Sequence, residues 1–134
     1  MTNIPAIYQG KLNTLDQIKV SPLSRAYTFS DSIYEVIPYF LGKPLCYKEH
    51  FDRMIQSCHL MDLDVDFDSV TKDIKELAAT LNNQDGYVYY QISRGVDMVR
   101  SHIYQDDLEI ERFGYAMPAS FPSSAISAML CDDD

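Results

Sequence analysis

The sequence predicts an α+β domain, an antiparallel β-sheet with two helices packed on one face. Two observations carry that prediction. Segments rich in Tyr, Val and Ile open and close the chain, and two stretches of helical apolar spacing lie between them. The 134 residues allow one domain, or one domain and the start of another, and with 46% hydrophobic and 23% charged residues the composition is globular.

Ile4–Leu12 reads as a first strand and Gln17–Val20 as a short second one, before Ser21-Pro22-Leu23-Ser24 breaks the pattern. Ser32–Phe40 and Leu45-Cys46-Tyr47, joined by Gly42-Lys43-Pro44, form a hairpin signature. Pro38 has no amide to donate, so its strand belongs at an edge or a bulge. Phe51, Met54, Ile55 and Cys58 make one apolar stripe on a helix over Lys48–Met61. Val70, Ile74, Leu77 and Leu81 repeat the spacing on a second helix, with Asp66 or Asp68 as N-cap and Asn82–Gly86 as the stop. Tyr87–Ser93 and Leu108–Met117 are strands, separated by the polar loop Arg94–Asp107. Pro118–Ser124 has linker character, and Ala125–Leu130 resumes as an apolar strand. The predicted division is residues 1–118 as a small domain, 119–124 as linker, and 125–134 as the first strand of an interrupted second domain.

Charge and composition exclude several classes. A net charge of −9 with no Lys/Arg run argues against nucleic acid as a partner. The longest apolar stretches are a few residues, as in Val36–Leu41, so no membrane helix is predicted. The N-terminus lacks the build of a signal peptide. Cys46, Cys58 and Cys131 read as reduced thiols of a cytoplasmic protein, the first two as core residues. His50 and His59 lie nine residues apart on one helix and face opposite sides, so no metal site is predicted. Walker, GxGxxG, GxSxG and HExxH motifs are absent.

Three clusters hold candidate chemistry. In Arg25–Val36 a polar turn feeds a strand whose Tyr34 and Val36 share a face, suited to lining a pocket. A phenol there equally fits an amphipathic core or interface residue. In Lys48–Arg53, His50 and Arg53 share a helical face, and the arginine fork suits a phosphate. A solvated arginine paired with Glu49 or Asp52 fits the same spacing. In Arg94–His102, Arg100 and His102 are two apart and can point the same way, as a carboxylate site or as part of an exposed polar loop.

Taken in order, Arg25-Ala26-Tyr27-Thr28-Phe29 through Tyr34-Glu35-Val36, then Glu49-His50-Phe51-Asp52-Arg53, then Tyr90-Gln91-Ile92-Ser93-Arg94-Gly95 resemble the N-terminal domain of the fold-type IV pyridoxal-phosphate enzymes. That group holds the D-amino-acid (D-alanine) aminotransferases, the branched-chain aminotransferases and aminodeoxychorismate lyase. The resemblance runs from about Tyr8 to Asp134. It implies that Arg53 binds the phosphate of pyridoxal 5'-phosphate and that Tyr34 and Val36 line the substrate side of the cofactor. Arg100 and His102, an RxH pair after Arg94-Gly95, resemble the carboxylate trap of the D-amino-acid branch. In those enzymes the trap reaches into the neighbouring subunit's site, which implies a homodimer.

The implied reaction moves an amino group from a D-alanine-like amino acid to a 2-oxo acid such as 2-oxoglutarate. Branched-chain and lyase activities are the alternatives, with a non-catalytic dimerisation or binding module as a reading of another class. Ser30 and Ser32 depart from the family, where glycine is frequent, so the turn before Tyr34 is expected to differ in shape. No catalytic residue is assigned in this chain. The family's cofactor-holding lysine lies in the second domain, and none of Lys11, Lys19, Lys43, Lys48, Lys72 or Lys75 stands in its motif. The expectation is a chain that stops before that lysine and is inactive alone.

Overall fold

The computed structural model describes residues 3–123 and 127–128. Ten short elements follow in order: β1 (Pro5–Tyr8), β2 (Lys11–Thr14), a 3₁₀ turn (Leu15–Gln17), α1 (Arg25–Phe29), β3 (Ser32–Phe40), β4 (Lys43–Pro44), α2 (Tyr47–Leu60), α3 (Phe67–Ala79), β5 (Gly86–Ser93) and β6 (Glu111–Pro118). The strands form one sheet in the order β2-β1-β6-β5-β3-β4, with every neighbouring pair antiparallel.

Alternation along the strands sorts the two faces. Ile37 and Tyr39 of β3, Val88, Tyr90 and Ile92 of β5, and Ala116 of β6 are buried beneath Met54 and Cys58 of α2 and Val70, Ile74 and Leu77 of α3. The opposite face carries Tyr34, Val36, Tyr87, Tyr89, Gln91, Phe113 and Tyr115, and neither α2 nor α3 packs on it. The predicted architecture therefore holds, with α1 as an additional single turn. Asp66 is the N-cap of α3, its carboxylate accepting the Asp68 amide. Pro38 sits where an edge requires it. Its carbonyl accepts from Leu45 on the outer side of β3, where β4 pairs at only two residues.

Several expectations need correction. Ile4–Leu12 is two strands, not one, because Gln9 and Gly10 both take positive φ (49° and 76°) and turn the chain in a tight hairpin. Gln17–Val20 is not a strand; β2 precedes it and is largely exposed, so no apolar alternation marks it. Arg25–Phe29 is a helical turn. The return arm after β3 is Lys43–Pro44, and Tyr47 already belongs to α2. Leu108 and Ile110 lie in the loop before β6. Ile55 is 38% exposed, at the margin of its stripe. Cys46 is exposed rather than core, since the chain enters α2 through a left-handed residue there (φ 50°), whereas Cys58 is buried. The predicted strand Ala125–Leu130 and Cys131 lie outside the described residues, apart from Ser127 and Ala128, which have no regular structure. No helix among the described residues is long and apolar enough to cross a membrane.

Candidate functional site

The register of β3 decides what the site contains. Tyr34 and Val36 point to the open face and Glu35, between them, points under α2. Tyr34 is 63% exposed, but its ring is not loose. It stacks on Tyr89 at 5.5 Å, and Tyr89 stacks on Tyr115 at 5.1 Å. The Tyr89 hydroxyl donates to Gln91 Oε1 (2.7 Å), and Gln91 Nε2 donates to Ser93 Oγ (2.9 Å). A continuous aromatic surface thus fixes the plane of the Tyr34 phenol.

Arg53 approaches the same strand from α2. Its Nε donates to Glu35 Oε1 (2.6 Å) and its Nη2 to Glu35 Oε2 (2.8 Å), a two-pronged pair. His50, one turn earlier, places Nδ1 2.8 Å from Glu35 Oε2. Burial raises the Glu35 pKa, yet the hydrogen bonds from Arg53 and His50 outweigh it and hold the carboxylate below its ordinary range. Glu35 is 3% exposed and the Arg53 side chain 67%. The acid is therefore a buried anchor, and the guanidinium stays accessible. Its Nη1 hydrogens and one on Nη2 have no partner among the described residues. Tyr34, Glu35, Val36, Arg53 and Ser57 line one cleft of about 490 Å³.

Three predicted residues thus meet in one place. The expected alternative partners of Arg53 are not its partners: Asp52 pairs with Lys48 instead. Glu35 and His50 complete the arrangement. A charged residue at an inward register position between Ile33 and Ile37 was the available signal for Glu35, and the shared helical face with Arg53 was the signal for His50.

Arg100 and His102 do not line this cleft. Both are exposed on the loop between β5 and β6, against the Phe29 ring: the Arg100 guanidinium carbon is 4.6 Å from its centroid, and the His102 ring meets it edge-on at 5.3 Å. The base of that loop is fastened firmly. Arg94 Nε donates to Asp31 Oδ2 (2.7 Å), Nη2 to the Met61 carbonyl (2.6 Å), and its guanidinium lies 3.8 Å over Tyr104. Arg25 Nε shares the same Asp31 oxygen at 2.8 Å. Gly95 has φ 121°, and a Cβ there would meet the Glu109 carbonyl oxygen at 2.1 Å, so only glycine lets the two ends of the loop close.

Against known families, residues 32–132 match the amino-transferase class IV model. Among curated proteins, a D-alanine aminotransferase of Listeria monocytogenes is 36% identical over 89 residues, covering 65% of this chain and 31% of the relative. A D-alanine aminotransferase of Bacillus licheniformis is 29% identical over 133 residues, covering 95% of this chain and 47% of the relative. The chain spans between about a third and a half of the length of these relatives. Solved structures share the fold at low identity. The branched-chain amino acid aminotransferase from Escherichia coli superposes with a TM-score of 0.76 at 18% identity, covering 88% of this chain and 42% of that one. The 4-amino-4-deoxychorismate lyase from Pseudomonas aeruginosa gives 0.74 at 18%, covering 87% and 41%. A hypothetical aminotransferase from Mycobacterium tuberculosis, in a PLP-bound form, gives 0.70 at 16%, covering 85% and 39%.

Proposed function

The chain belongs to the amino-transferase class IV family, and from that premise we propose that residues 1–118 form the small domain of a pyridoxal-phosphate enzyme that exchanges an amino group between a D-alanine-like D-amino acid and a 2-oxo acid such as 2-oxoglutarate. In this reading residues 119–124 link to a second domain, whose first strand is 125–134, and the complete protein is a cytoplasmic homodimer.

The observation that carries the reading is the Glu35–Arg53 pair at the edge of the Tyr34–Val36 face. A phosphate ester needs a cation with spare planar donors, fixed in place and open to solvent, and Arg53 has that donor set. Pyridoxal phosphate, when bound, supplies an electron sink for the carbanion left by Cα proton removal. The chain's own residues act around it. Arg53 fixes the phosphate end, while Glu35 and His50 keep the guanidinium from swinging away. Val36 gives the cleft an apolar wall, and the Tyr34 hydroxyl donates to a substrate carboxylate on the open face. Arg100 and His102, displaced from this cleft, supply further carboxylate donors to the partner subunit's cleft.

The D-amino-acid assignment is supported by the two curated relatives and by the RxH spacing. Branched-chain and lyase readings rest on fold likeness at 18% identity. Assaying the complete protein with D-alanine and with L-valine against 2-oxoglutarate separates them; turnover of L-valine alone refutes the D-specific reading. None of the six lysines lines the cleft, so the 134 residues alone should not transaminate. A one-to-one, borohydride-trapped adduct of pyridoxal phosphate on a single one of these lysines would contradict that.

A further inference from the structure

Arg100 and His102 lie in a loop without regular secondary structure, yet three consecutive residues of that loop are held by one turn of helix. Phe29, the last residue of α1, lies against Arg100 (4.6 Å, guanidinium carbon to ring centroid) and against the edge of His102 (5.3 Å between centroids). Arg25, four residues earlier on α1, lies 4.3 Å from the same ring centroid, and its Nη1 donates to the carbonyl of Ser101, the residue between them, at 2.7 Å. Arg25 cannot drift, because Asp31 holds its Nε. Backbone and side chains of the loop are therefore referenced to the same ring.

The chemistry of the platform matters. A carboxylate beneath Arg100 would orient it and also consume its donors. An aromatic face attracts the guanidinium while leaving the N–H groups at its rim free. Neither Arg100 nor His102 has a hydrogen-bond or ion-pair partner among the described residues. Two side chains that meet one ring, with donors unused and rotamers restrained, lose little freedom when a ligand arrives.

We infer that Phe29 is a positioning residue that holds Arg100 and His102 in a common orientation for a carboxylate ligand. The inference rests on the reading of that pair as carboxylate-binding, and its test separates the two. In the complete protein, Phe29→Leu and Phe29→Tyr are compared by the ring-proton signals of His102, by trypsin cleavage after Arg100, and by KM and kcat for D-alanine. Cleavage after Arg94 and Arg112, which lie in buried and strand positions, reports global opening. If Phe29→Leu opens the whole domain, Phe29→Met replaces it.

The expected result for Phe29→Leu is a shifted His102 ring signal, cleavage after Arg100 faster by roughly two- to fivefold, and a KM raised by a similar factor with kcat little changed. Phe29→Tyr restores all three. Unchanged cleavage after Arg100 with unchanged KM overturns the inference, since loss of the neighbouring ring current alone moves the His102 signal. A loosened loop with unchanged KM retains the platform and overturns the carboxylate reading of the pair.

Discussion

Two carboxylates of this domain each hold two nitrogen-bearing side chains, and they do so to opposite ends. Asp31 receives Arg25 and Arg94, with the three side chains between 4% and 10% exposed. Both guanidiniums are otherwise engaged, Arg94 by the carbonyls of Met61 and Asp62 and Arg25 by that of Ser101. Glu35 receives Arg53 and His50, is itself buried, and leaves Arg53 two-thirds exposed with donors to spare. The first cluster is a fastening between the start of β3 and the end of β5. The second is a handle. Ion pairing alone does not mark a binding site; the proposed phosphate role of Arg53 rests on the uncommitted donors of an anchored, accessible cation.

The largest expected effect breaks the fastening. Asp31→Asn leaves the buried Arg94 guanidinium without its counter-charge and Arg25 with only Asp97, at 3.7 Å, a change on the scale of about 3–5 kcal/mol seen when a buried pair loses one partner. Urea denaturation of the chain measures it, and a loss below about 1 kcal/mol would show that Asp31 is not the fastening described. At the handle, Arg53→Ala should instead act on the cofactor. In the complete protein the affinity for pyridoxal phosphate falls about tenfold to a hundredfold, the scale of lost charged hydrogen bonds. Equilibrium titration with the cofactor checks it, and an unchanged affinity sinks the role of Arg53.

The handle was legible only in part: the local spacing marked Tyr34, Val36, His50 and Arg53, but not Glu35, which lies 18 residues from Arg53. Tyr34 and Val36 follow the two-residue strand period, and His50 and Arg53 follow the helical one. The fastening was not legible. Arg94 is 63 residues from Asp31, and the register that pairs Ser32 with Ser93 is what brings them together. Arg25 and Arg94 therefore looked like loop charges. The helices were clear for the same reason as the handle, since Met54, Cys58, Val70, Ile74 and Leu77 repeat at helical spacing. The N-terminal hairpin was obscured because β2 buries almost nothing and leaves no alternation to read.

A smaller effect separates the carboxylates by pH. Hydrogen bonds from Arg25 and Arg94 at Asp31, and from Arg53 and His50 at Glu35, overcome burial and hold both carboxyls below the usual carboxylate range. The unfolded chain binds these protons first, so the stability they contribute is present above about pH 4.5 and is lost as pH falls through their folded values. Asp73 has the opposite sign. Burial beside Tyr90 raises its pKa above 3.8, so the folded state binds its proton more tightly and stability declines as pH rises through that window. Denaturation midpoints should therefore fall less steeply below pH 4.5 in Asp31→Asn, and rise more steeply from pH 4 towards neutrality in Asp73→Asn. Profiles parallel to that of the unmodified chain would refute the assignments.

The smallest effect lies in the turn that delivers Asp31 to its arginines. Ser30 adopts φ 53° and ψ 30°, a left-handed conformation that costs a non-glycine residue roughly 1–2 kcal/mol. Serine occupies the left-handed region here without the help of glycine. Ser30→Gly removes the steric cost but gives the unfolded chain more freedom, a loss of about 0.4–1 kcal/mol. The net expectation is a stabilisation under about 1 kcal/mol, read as a higher urea midpoint with an unchanged slope. Affinity for pyridoxal phosphate at Arg53 should not move, because the turn serves the fastening and not the handle. A destabilised Ser30→Gly would mean that the serine side chain contributes more than its backbone costs, and a shifted cofactor affinity would mean that the two carboxylate clusters are coupled.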